Sequence, residues 1–92
     1  MIRKLTDHKA SQCHVEINEF GNIYFYSYAT MVISVKEGWL TCTGLYSMTT
    51  RKQIGWFLRE YFPSLSFQFV KSLYENGETY NVLTGEIKYI CA

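Results

Sequence analysis

Few residues in this chain have types and spacings that could do chemistry. Cys13 and His14 are adjacent, and His8 lies upstream. Such residues ligate zinc or form thiol–imidazole pairs, but both uses require the groups to converge. In a strand, neighbours 13 and 14 point to opposite faces, so they do not chelate one ion together. No paired ligand spacing occurs elsewhere. The eight carboxylates (Asp7, Glu16, Glu19, Glu37, Glu60, Glu75, Glu78 and Glu86) are scattered, and no two are spaced as an acid/base or metal-binding pair. The six glycines never form a phosphate-cradling loop. The sequence therefore predicts a protein that is not an enzyme, with no catalytic residue, metal or cofactor.

What remains for recognition is aromatic. Tyr24, Tyr26 and Tyr28 fall on one side of a regular strand, and Ile23 and Phe25 on the other. The aliphatic and phenyl side suits a core, which leaves the tyrosines on a half-exposed surface. A tyrosine ladder can stack nucleobases. It can equally grip a protein, or simply pack across strands with its hydroxyls at the rim. The Gly-Phe-aromatic run of RNA-binding sheets is missing. A second patch centres on Trp56. At roughly 100° per residue it points away from Ile54, Phe57 and Leu58, on the side of Lys52 and Arg59. Either another part of the chain or a cation covers the indole, or Trp56, Lys52 and Arg59 anchor a partner.

These residues need elements to position them. Ile54, Phe57, Leu58, Tyr61 and Phe62 recur with the period of one buried helix face, which predicts the main helix over 47–62. Thr50 and Gln53 fit a capping box, with Ser47 and Thr49 as rival caps, and Pro63 stops the helix. Gly55 inside it costs roughly 1 kcal/mol relative to alanine, for which close approach of another backbone is one reason. Before the helix, Cys13–Ile17 alternates as a strand, Glu19-Phe20-Gly21-Asn22 is a turn, and Ile23–Ser27 pairs back. The run 23–35 is long for one strand. It splits near Tyr28-Ala29-Thr30, or else bends at a bulge. Lys36-Glu37-Gly38 turns into the strand at Trp39–Thr43.

After Pro63, residues 66–76 read as a second helix capped by Ser64 or Ser66 and ended by Asn76-Gly77. Tyr80–Leu83 and Glu86–Tyr89 flank Thr84-Gly85 as a small hairpin over 79–90. The expectation is one α+β domain of residues 1–92. It comprises a lead-in arm (1–11), an antiparallel β-meander of three to four strands (12–45), two helices on one sheet face, and a short C-terminal hairpin.

Composition sets the outer bounds. With 48% hydrophobic and 17% aromatic residues, the chain has the material for a core. A formal net charge of +1 disfavours a general duplex-DNA binder, which needs many phosphate contacts. No apolar run approaches the roughly 20 residues that span a bilayer, and no apolar segment follows the basic N-terminus as in a signal peptide. Cys13, Cys42 and Cys91, odd in number and widely spaced, fit reduced thiols in a cytoplasmic setting.

Two segments carry a resemblance. Gly44-Leu45-Tyr46-Ser47-Met48-Thr49-Thr50, backed by Ile54, Phe57 and Tyr61, and Tyr80-Asn81-Val82-Leu83-Thr84-Gly85-Glu86 further on, are similar to small uncharacterised proteins of bacteriophages and other mobile elements of gut bacteria. In those, a Tyr-Ser-x-Thr-Thr run precedes a helix and a Tyr-Asn-x-x-Thr-Gly-Glu hairpin follows. Many have His where this chain has Gln53. The resemblance implies no activity and no functional residue, but it implies a context. Such proteins often act by binding, some as inhibitors of host defence such as anti-CRISPR proteins. The leading expectation is a binding protein for a host protein, a defence nuclease complex among the candidates, acting in the bacterial cytoplasm through Lys52, Trp56 and Arg59 or through Tyr24, Tyr26 and Tyr28. The alternative is a single-stranded nucleic-acid or nucleotide binder using the tyrosine face. A homodimer burying its own aromatic patches is the third.

Overall fold

Alternation along the strands decides the architecture. The computed structural model describes residues 2–3, 12–45 and 47–90. Its strands pair in chain order into one antiparallel sheet: β1 (Ile2–Arg3), β2 (Cys13–Ile17), β3 (Ile23–Ser27), β4 (Thr30–Lys36), β5 (Trp39–Cys42), β6 (Glu78–Asn81) and β7 (Ile87–Tyr89). The first is a two-residue edge piece; the other six carry the sheet. Between β5 and β6 the chain leaves for two helices, α1 (Met48–Tyr61) and α2 (Phe67–Asn76).

Register shows which side chains share a face. Phe25 lies opposite Ile33, Ile33 opposite Cys42, Val35 opposite Leu40, and Leu40 opposite Tyr80. Together with Val15 they bury against Ile54, Phe57 and Leu58 of α1 and Val70 and Leu73 of α2. Phe57 is the hub of this layer. Its ring stacks on Phe25 at 4.7 Å and on Tyr61 at 5.2 Å, and meets the edge of Phe62 at 6.0 Å. The period of the helix therefore does what its sequence predicts, and both helices lie on one face of the sheet.

The sheet is larger than the expected three to four strands. The C-terminal hairpin does not stand apart; Trp39 pairs with Asn81 and Leu40 with Tyr80, which continues the meander through β6 and β7. At the other edge, Ile2 and Arg3 pair with Glu16 and Val15, so part of the lead-in arm is strand. Residues 4–11, including His8, lie outside the described residues, as do Tyr46 and Cys91. The long run 23–35 resolves into both of its readings. Tyr28 and Ala29 form a turn, and a register shift between Phe25 and Tyr26 leaves Val32 without a partner on β3.

Helix ends follow local chemistry, with one correction. Ser66 caps α2 by accepting the Phe69 N–H at 3.1 Å, and Gly77 closes it at φ 67, the left-handed geometry glycine adopts without strain. Ser47 caps α1 by accepting the Thr50 N–H at 3.2 Å. The Thr50–Gln53 capping box does not form. Thr50 lies in the first turn and Gln53 one turn further in, and both face the sheet, where Ser27 Oγ donates to Gln53 Oε1 and Thr50 Oγ1 lies 3.2 Å from Ser27 Oγ. A buried polar cluster thus ties α1 to the end of β3, and every member must stay satisfied. Gly55 is corrected too: a Cβ there would meet nothing within 4 Å, so no backbone approaches it.

Two stability outcomes follow. Ser27→Ala strands the Gln53 carbonyl in the core and is expected to cost about 1–3 kcal/mol in urea unfolding. Gly55→Ala is expected to stabilise by about 0.5–1 kcal/mol in the same assay, because helix propensity improves with no clash.

Candidate functional site

The second half of the strand alternation builds the opposite face, which neither helix covers. Glu16, Tyr24, Ser34, Thr41, Thr79 and Lys88 form one row across it from β2 to β7. His14, Tyr26 and Met31 flank the row on one side, and Lys36, Trp39 and Asn81 on the other.

On the β2–β4 half, the His14 ring stacks parallel on Tyr26, with centroids 4.8 Å apart and planes 4° apart. His14 Nε2 lies 3.3 Å from Glu16 Oε2. The Lys36 ammonium stands 6.0 Å from the Tyr24 ring. Burial, with the Glu16 carboxylate adding to it, pushes the Tyr26 phenol above its ordinary range. Tyr24, Tyr26, Glu16 and Met31 border a shallow hollow of about 320 Å³.

On the β4–β7 half, Lys88 Nζ sits 4.1 Å over the Trp39 indole, a cation–π contact. Thr79 Oγ1 donates to the Leu40 carbonyl at 2.7 Å. Its single proton is thereby committed, so Thr41 is the donor in the 2.9 Å contact between the two hydroxyls. These groups border a second hollow of about 410 Å³.

The expected site residues are redistributed. Tyr24 and Tyr26 lie together on the uncovered face, half-buried. Tyr28 does not join them: the strand ends at Ser27, and Tyr28 sits in the turn at φ 57, 57% exposed. The ladder has two rungs because the third position is used to reverse the chain. Lys52 and Arg59 are exposed on α1, on the helix layer rather than beside the tyrosines. Trp56 is half-buried and packs against the core. Contact with α2 as well as with the sheet covers more of α1 than a single buried stripe. Trp39 and Lys88 escaped sequence reasoning. Alternation of Trp39 and Thr41 against Leu40 and Cys42 could have found the indole; Lys88 needed the β5–β6 pairing.

Among the described residues, no group of three or more His, Cys, Asp or Glu could hold a metal. Cys13 and Cys42 are buried on the helix side, and burial pushes the Cys42 thiol up, whereas His14 faces the open side. No helix of the described residues is long and apolar enough to cross a membrane.

Residues 2–66 match the family described as "Family of unknown function (DUF8033)". The chain belongs to DUF8033. No curated protein and no solved structure matches it. The DUF8033 match takes in β1 to β5, α1 and the Ser66 cap. It therefore contains the row as far as Thr41, with His14, Tyr26 and Trp39, and stops short of Lys88.

The raised Tyr26 value has a sign. The native fold favours the neutral phenol, so its contribution is intact below about pH 10 and is lost as pH rises through the raised value. In a phenolate absorbance titration, Tyr26→Phe is expected to remove a component titrating above the ordinary tyrosine range. Glu16→Gln should lower that component only part of the way, since burial and the neighbouring Tyr24 still raise it.

Proposed function

We propose that this DUF8033 protein is a non-enzymatic binding protein that grips a partner protein with the β2–β4 half of its uncovered sheet face. The observation that carries the reading is the pair Tyr24 and Tyr26, half-exposed two residues apart on β3, with His14 of β2 stacked on Tyr26 and Met31 of β4 beside it. Tyrosines held on a rigid sheet offer large contact area with little conformational entropy left to lose. Glu16 in the same cluster and a net charge of +1 disfavour a long polyanion there.

The resemblance to phage and mobile-element proteins supports a host protein as the partner, in the bacterial cytoplasm. A defence nuclease complex, inhibited by having a functional surface covered, is one form of this. Lys52, Trp56 and Arg59 on α1 form the rival surface, which the half-burial of Trp56 makes smaller than expected.

Affinity capture from host lysate, followed by titration of the identified partner, tests this. A Tyr24→Ser/Tyr26→Ser double variant that still folds is expected to weaken binding at least about thirtyfold, as for hot-spot residues. Lys52→Glu/Arg59→Glu should bind as the parent does. The reverse pattern would move the site to α1.

A further inference from the structure

The hollow over Trp39 has a chemistry of its own. Its wall is an indole with an ammonium held over the ring face, Lys88 Nζ at 4.1 Å. Lys36 is the cross-strand neighbour of Trp39 on β4 and lines the same hollow, its ammonium lying toward the Tyr24 ring at 6.0 Å and within reach of a ligand seated here. Among the described residues neither lysine meets a carboxylate in an ion pair. Glu37 also borders the hollow, which leaves its lining net positive.

The floor is polar. Ser34, 8% exposed, brings a hydroxyl to the lining. Thr41 Oγ1, having given its proton to Thr79, presents lone pairs. A ring face, two lysines and floor hydroxyls thus line a hollow of about 410 Å³. That is within the roughly 300–1,000 Å³ usual for small-molecule sites.

We propose that this hollow binds a nucleoside monophosphate. The base stacks on the Trp39 indole in the place Lys88 now occupies. Lys88 swings off the ring to join Lys36 on the phosphate, which exchanges a cation–π contact for a charge-assisted hydrogen bond. Ser34 and Thr41 take the hydrogen-bonding edge of the base or the sugar hydroxyls. The site lies on the β4–β7 half of the face and shares with the tyrosine half only Lys36, which contacts Tyr24 at 6.0 Å, so either reading can fail alone.

Trp39 and Trp56 are the two tryptophans of the chain, so Trp56→Phe leaves Trp39 as the sole indole reporter. That variant is titrated at low and moderate salt with adenosine and guanosine monophosphates, the free nucleosides, inorganic phosphate and a short single-stranded oligonucleotide. Saturable quenching by a monophosphate is expected, weakened by salt. Lys36→Ala and Lys88→Ala should each reduce its affinity about tenfold or more, and the folding of each is checked by circular dichroism. Quenching by the oligonucleotide at far lower concentration would place the same chemistry on a strand rather than a free nucleotide, and overturn the mononucleotide assignment. Equal binding of nucleoside and monophosphate, equal binding of inorganic phosphate, or no saturable signal at millimolar nucleotide would each overturn the proposal. Loss of partner capture without loss of quenching, or the converse, separates this site from the tyrosine surface.

Discussion

The pairing of β5 with β6 is the constraint on which the rest of the structure depends. It rejoins a chain that has left the sheet for two helices, and it does so through two residue pairs, Trp39 with Asn81 and Leu40 with Tyr80. A slip of one residue would exchange the two faces of β6, placing Tyr80 in the open and Thr79 against the helices. Several contacts oppose that slip. Thr79 hydrogen-bonds both the Leu40 carbonyl and Thr41, and the Val82 N–H donates to Gly38 at 2.8 Å. Asn81 Oδ1 accepts from Leu83 and Thr84, folding the turn against β5. The Leu83 side chain lies so close to Gly38 that a Cβ there would stand 3.0 Å from it. With this register set, Tyr80 meets the Phe69 edge on one face while Lys88 reaches Trp39 on the other.

The helix layer is tied down at a different place and by different means. Phe57 supplies the apolar contact to β3, and the Ser27–Thr50–Gln53 cluster supplies a directional one. Apolar packing alone tolerates rotation of a helix about its axis; a buried carbonyl that must find one hydroxyl does not. The two contacts together orient α1, and that orientation half-buries Trp56 while leaving Lys52 and Arg59 in solvent.

Much of the fold could be read from local signals. Ser66 and Gly77 bracket α2 as cap chemistry requires, and Pro63 follows the end of α1. The strands at 13–17 and 23–27 follow simple alternation. What escaped was non-local. Nothing in residues 79–90 says that their hairpin pairs with a strand about forty positions earlier, because strand pairing leaves no periodicity in either partner. Thr50 and Gln53 have the spacing of a capping box, and their burial depends on where Ser27 lies. The candidate face was legible in part: Tyr24 and Tyr26 follow from period two, while Trp39 and Lys88 meet only once the sheet is assembled.

Strand β7 ends the sheet, which leaves the outer edge of a three-residue strand, Ile87-Lys88-Tyr89, without a neighbouring strand among the described residues. Ile87 and Tyr89 are 49% and 76% exposed, an inviting edge for another copy. Were two copies to pair antiparallel about the middle residue, Ile87 would face Tyr89 and Lys88 would face its own copy. Two like ammoniums directly across a ladder repel. The same lysine that covers an indole within one molecule is thus a like charge against a second copy pairing at this edge in that register.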